Sequence, residues 1–276
     1  MNRRLALLAC LVLAPAAALA VTEQRNWQRE FSVTQPQPRL LVRNIWGPVS
    51  VVTGSADVIV VRAKEIRSAG SAGDLERSRQ ILTLQVDQDD RGVSLVLPKG
   101  EDRWWSPLEG CDECRLYLAL EIQVPAAADI DVATVMDGSI SVAGVTGAVQ
   151  LDNVNGDIDA AELVQCSRLQ TVNGDVTVRF ARQPRSDCSL ETVNGDMQVG
   201  LPGSPDLTLA IVTGNGRIRS DFDARPVALE MTVDKQRIGD TNRYRVEQPA
   251  GLQIGSGGPR FQFKSINGDV EIFRHE

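Results

Sequence analysis

The chain has 276 residues, 42% of them hydrophobic and only 4% aromatic, with a formal net charge of −7. That length suits one large domain or two small ones. The acidic balance argues against nucleic acid or anionic lipid as a partner, because phosphate binding wants a basic surface.

Residues 1–20 read as a signal peptide: Arg3 and Arg4 give a positive start, an apolar run follows, and Ala18-Leu19-Ala20 resembles a cleavage site. Removing them leaves 27 basic against 36 acidic residues, a net charge of −9. Leu7-Leu8-Ala9-Cys10 offers a lipoprotein reading instead, but the apolar stretch before Cys10 is short and more apolar residues follow it. No later run approaches the roughly 18 apolar residues of a membrane span, so the mature chain is expected not to be membrane-spanning.

Residues 21–37 form a lead-in strand. Alternation through Leu41-Val42-Arg43 and Val49-Ser50-Val51 then opens a body that occupies residues 38–276. Residues 66–80 contain Gly70, Gly73 and a charged run, and read as a loop with a helical turn or two. Three alternating runs follow, at 81–87, 93–97 and 116–124, the first two joined by a polar, glycine-containing loop. They predict an antiparallel flank or cap, residues 54–124, inserted after the first rung of the repeat.

From residue 129 a phrase recurs: Asn155-Gly156-Asp157, Asn173-Gly174-Asp175, Asn194-Gly195-Asp196 and Asn267-Gly268-Asp269. Asn215-Gly216-Arg217 is a variant, and Asp137-Gly138-Ser139 and Trp46-Gly47-Pro48 are weaker copies. Aligned on glycine, apolar columns stand five before it (Val42, Leu151, Leu169, Leu190, Ile211, Phe263) and two before it (Ile45, Met136, Val154, Val172, Val193, Ile266). A third stands two after it (Val49, Ile140, Ile158, Val176, Met197, Ile218, Val270). The glycines from 138 to 216 are 18, 18, 21 and 21 residues apart, and a fixed period near 20 marks a stacked repeat.

Each copy reads as strand, tight turn, strand, since Asn and Gly both tolerate positive φ. Stacking about 4.8 Å apart would turn each column into a ladder. The predicted fold is all-β: a parallel β-solenoid, single-stranded and β-helix-like, with residues 224–258 as a second excursion before the last copy. Open edges of such a stack leave self-association available.

The early Gly47-Pro48-Val49-Ser50-Val51, Val124-Pro125, the successive T-V-N-G-D copies, Leu201-Pro202 and the terminal stretch from Ser265 to Ile272 together resemble the bacterial putative-adhesin domain family, over roughly residues 38–273. The resemblance implies an exported β-solenoid in envelope or secreted proteins. It brings no catalytic motif with it.

Stacked carboxylates repel, so the Asp column (Asp157, Asp175, Asp196, Asp269) has two readings. Either a cation relieves it, or each Asp bonds nearby backbone N–H groups, the preferred reading. The Asn column reads as an amide ladder. Four cysteines remain after processing, an even number that suits disulfides in an exported chain. Cys166 and Cys188 fall at nearly the same place in adjacent copies, so a Cys166–Cys188 bond is predicted. A local Cys111–Cys114 bond is preferred over a redox pair or a zinc site. Trp104 and Trp105, adjacent in a chain poor in aromatics, either pack over an open edge or form an interaction loop.

His275 is the only histidine and no catalytic set assembles around it, so no catalytic, cofactor or metal residue is assigned. The expected function is a non-enzymatic, exported binding or scaffold module of the cell envelope, whose partner is an unidentified protein or glycan. A β-helix carbohydrate-active enzyme and an envelope-stress sensor are the alternatives.

Overall fold

The computed structural model describes residues 20–97, 111, 113–230, 232–238, 241–247 and 249–275. The signal-peptide cleavage motif up to Leu19, Cys10 and the Trp104-Trp105 pair lie outside the described residues.

The chain opens with β1 (Val21–Ser32), β2 (Arg39–Arg43), β3 (Val49–Thr53) and β4 (Val58–Ala69). Helix α1 (Ala72–Ile81) follows, then β5 (Gln85–Asp89), β6 (Gly92–Val96) and β7 (Arg115–Val124). The repeats supply β8 (Asp129–Ala133) and β9 (Ile140–Ala143), β10 (Val149–Asp152) and β11 (Ile158–Leu163), β12 (Arg168–Gln170) and β13 (Val176–Phe180), and β14 (Cys188–Glu191) and β15 (Met197–Pro202). After β16 (Leu207–Asn215) and β17 (Ile218–Ser220) come β18 (Ala224–Pro226), the hairpin of β19 (Thr232–Ile238) with β20 (Thr241–Glu247), and β21 (Ala250–Ile254). The last copy of the repeat is β22 (Arg260–Asn267) and β23 (Val270–His275).

Two mixed sheets result. One runs β1-β4-β7-β3-β9-β11-β13-β15-β23-β17, the other β18-β21-β16-β22-β14-β12-β10-β8-β2-β6-β5. Every copy places its first strand in the second sheet and its second strand in the first. The neighbours are parallel and in register; Leu151, Leu169 and Leu190 align, as do Ile158, Val176 and Met197. The columns five before and two after each glycine are buried and build one core between the sheets, except Ile218 on β17, which is exposed; Phe180, Phe261 and Phe263 are the core's largest fully buried side chains. A smaller core under α1 joins Leu75, Leu82, Leu97 and Leu116 to the two cysteines at 111 and 114.

Four sequence expectations need correction. The flank is only partly antiparallel: β4 and β5 are, but β6 pairs parallel with β2 and β7 parallel with β3, so they form a rung of their own. The turn or two near residue 72 is a ten-residue helix, started by Ser71, whose hydroxyl accepts from the Asp74 N–H at 3.1 Å. The last copy does not close the stack but lies between the copies at Gly195 and Gly216. Finally, Asp137 takes φ 53°, which adds one residue to its corner. Met136 therefore bridges to Trp46, in the asparagine column, and Val135 rather than Met136 belongs two before the glycine.

Candidate functional site

The corners where the chain passes between sheets hold the recurring phrase. None of the five ladder asparagines has positive φ; the glycines at 156, 174, 195 and 268 do. A Cβ on Gly174 would collide with the Gly156 carbonyl oxygen one rung away, so the residue is fixed by close backbone approach as well as by φ.

The asparagines form a continuous amide ladder. Asn173 donates to Asn155 (2.8 Å), Asn194 to Asn173 (2.9 Å), Asn267 to Asn194 (2.9 Å) and Asn215 to Asn267 (3.0 Å). The Asp column is satisfied by backbone. Asp157 accepts from the Asp175 N–H (2.9 Å), Asp175 from Asp196 (2.8 Å), and Asp196 from Asp269 (2.8 Å). At the end of the series Asp269 accepts from the Arg217 N–H at 2.8 Å, with the Arg217 and Arg219 guanidiniums 3.4 and 3.7 Å from its other oxygen. That N–H bond first, and then the two positive charges, hold the Asp269 carboxyl below the usual range. Among the described residues no group of three His, Cys, Asp or Glu side chains is placed to hold a metal.

A third polar column escaped the sequence reading. Thr171 and Thr192 are buried, and their hydroxyls donate to the carbonyls of Gly156 (2.9 Å) and Gly174 (3.1 Å). Thr134 and the amides of Asn44 and Asn153 do the same elsewhere in the stack. The T of each T-V-N-G-D copy was the visible signal: a hydroxyl repeating three before a glycine with alternation around it. The column fails at the far end, where the Ser265 and Thr213 hydroxyls are buried without a partner.

The structure joins Cys166 to Cys188, Cα atoms 5.3 Å apart, across adjacent copies, and Cys111 to Cys114, 5.4 Å apart. The second bond lies against the start of α1, with both sulfurs near the Asp74 carbonyl.

At the other end of the stack the sheets part into a mouth between β1 and β4 on one side and β5 on the other, under α1. It holds a cavity of about 280 Å³ whose lining carries Arg25, Arg29, Arg67 and Arg79 against Glu23 and Glu65, together with Trp27, Leu84 and Val86. Alternation in β1 sends Glu23, Arg25, Trp27, Arg29 and Phe31 to the same face. Arg67 is buried and donates to the Ser78 carbonyl (2.6 Å) and the Leu82 carbonyl (2.9 Å), closing the last turn of α1. Burial lowers its pKa, while Glu65 and Glu23 support its charge. Arg79 pairs with Glu23 at 2.9 Å and with Glu76, and both partners raise its pKa. The Trp27 indole donates to Glu65 at 2.5 Å, and the Arg29 guanidinium lies 5.3 Å from the indole centroid. The sequence reading treated this segment only as a lead-in strand; the charged residues alternating about Trp27 were the signal it passed over.

Among the described residues no helix is long and apolar enough to cross a membrane. No family model matches the chain, and no curated protein does. Solved structures do. A putative cell adhesion protein of Clostridium sporogenes is 10% identical, with a TM-score of 0.47 over 91% of this chain and 100% of that one. A putative adhesin of Bacteroides fragilis is 12% identical, with a TM-score of 0.38 over 91% of this chain and 97% of that one.

Proposed function

We propose that the chain is an exported, non-enzymatic β-solenoid of the cell envelope that works as an adhesin-like binding or scaffold module. The observation that carries this reading is the corner of the stack. There the amide, carboxylate and hydroxyl columns are spent on rung-to-rung hydrogen bonds, which makes them parts of a rigid body rather than reagents. Two disulfides in a chain of this size favour an oxidising compartment. A stack of parallel rungs offers an elongated surface to a protein or glycan, and its outer strands β1, β5, β17 and β18 leave room for pairing with a second copy.

The test is a pull-down from envelope extract with the mature protein beside a Trp104→Ala/Trp105→Ala variant. Capture of an envelope component by the parent supports the binding reading. Loss of capture in the variant assigns it to that loop, and retention assigns it to the described body. No capture, together with an unaltered envelope on deletion of the protein, would refute the reading.

A further inference from the structure

The mouth opposes the charge of the molecule around it. Four arginines face two glutamates there, in a chain whose formal charge is −7. Two of the four are committed: Arg67 to backbone carbonyls and Arg79 to Glu23 and Glu76. Trp27 is fixed by its bond to Glu65. Arg25 and Arg29 remain. Among the described residues neither pairs with a carboxylate, and both are exposed on β1. They flank Trp27 at i−2 and i+2 on one strand face, so their backbone positions stand about 13 Å apart with the indole midway. A guanidinium resting on an indole keeps its planar fork of donors open, the form that recognises carboxylate bidentately. Leu84 and Val86 supply the apolar wall opposite.

We propose that this mouth binds a carboxylate-bearing saccharide. Arg25 and Arg29 pair with acid groups on successive units, and the Trp27 ring and the apolar wall receive the sugar between them. The proposal deepens the binding-module reading and rests on it. It assigns the ligand to residues of the described body rather than to Trp104 and Trp105.

Tetragalacturonate is the probe, titrated into the mature protein and followed by calorimetry and tryptophan fluorescence, with maltotetraose and inorganic sulfate in parallel. The parent is expected to bind tetragalacturonate, more weakly as salt rises, and to bind the neutral sugar at least tenfold more weakly. An Arg25→Gln/Arg29→Gln variant, whose circular dichroism matches the parent and whose melting differs only by the exposed contact of Arg29 with the Trp27 indole, is expected to lose at least tenfold in affinity. A Trp27→Phe variant keeps the arginines and is expected to lose the fluorescence change. Equal affinity in the double variant overturns the proposal, as does absence of binding by the parent. Sulfate bound as tightly as tetragalacturonate also overturns it, since a bare oxyanion would then suffice. If these titrations fail while the pull-down still captures a partner, only the saccharide assignment falls; failure of both removes the binding reading as well.

Discussion

The corner of the stack and the mouth at its N-terminal end are built from similar polar side chains and use them in opposite ways. At the corner the ladder asparagines and aspartates meet their counterparts one rung away, and Thr171 and Thr192 meet a glycine carbonyl there, so one local solution is copied along the middle of the stack. At the mouth nothing repeats. Each charge is settled separately, by a carbonyl, a glutamate or an indole, and two guanidiniums keep their donors. Repetition turns polar groups into structure, and its absence leaves them available for recognition.

The sharpest way to break the corner is Gly174→Ala. The new Cβ meets the Gly156 carbonyl at a φ of +156°, and the expected loss is about 3–4 kcal/mol, read as a drop in urea midpoint. Next is the Cys166→Ala/Cys188→Ala variant. Opening a loop of sequence separation 22 is expected to cost about 3 kcal/mol on the chain-entropy account, against about 2 for the short Cys111–Cys114 loop. A smaller effect separates the middle of the stack from its end. Thr192→Val removes the bond to the Gly174 carbonyl and is expected to cost about 1–2 kcal/mol, whereas Thr213→Val removes a hydroxyl that already lacks a partner and should be neutral or stabilising. Equal losses at the two positions would show that the hydroxyl column does not fasten the rungs.

The smallest effect is the pH dependence of Asp269. Its folded pKa is depressed, so its contribution is present above the ordinary carboxylate value of about 3.9 and is lost as pH falls through the folded value. An Asp269→Asn variant is expected to be less stable than the parent at pH 6 and to converge with it as pH falls through the depressed folded value. A gap that persists in acid would assign the effect to packing instead.

Much of the corner was legible in the sequence because one glycine sits at one close approach in every rung, and each error there has a local cause. Asp137 adopts positive φ and slips the register by one residue, which no spacing count reveals when the neighbours on both sides are apolar. The place of the last copy was hidden because Asn267-Gly268-Asp269 complements either neighbour equally well. Arg217 held the answer. A rung without the carboxylate can donate its N–H to Asp269, but it offers nothing to a rung beyond it, so it belongs at the end. The mouth was not legible, because it joins β1, β4, α1 and β5 through contacts between unlike residues, which leave no period to detect.

The position of β22 and β23 has a consequence for the time order of folding. These strands leave the ribosome after β16 and β17, yet they stand between β14–β15 and β16–β17, with Cys188 opposite Phe261 across 73 residues of chain. Assembly therefore cannot run as a zipper from the first rung to the last. The growing stack halts at β15 with an open edge, and β16 and β17 wait without their parallel neighbours until β22 and β23 insert. Closing so long a loop late is slow and leaves strand edges unprotected meanwhile.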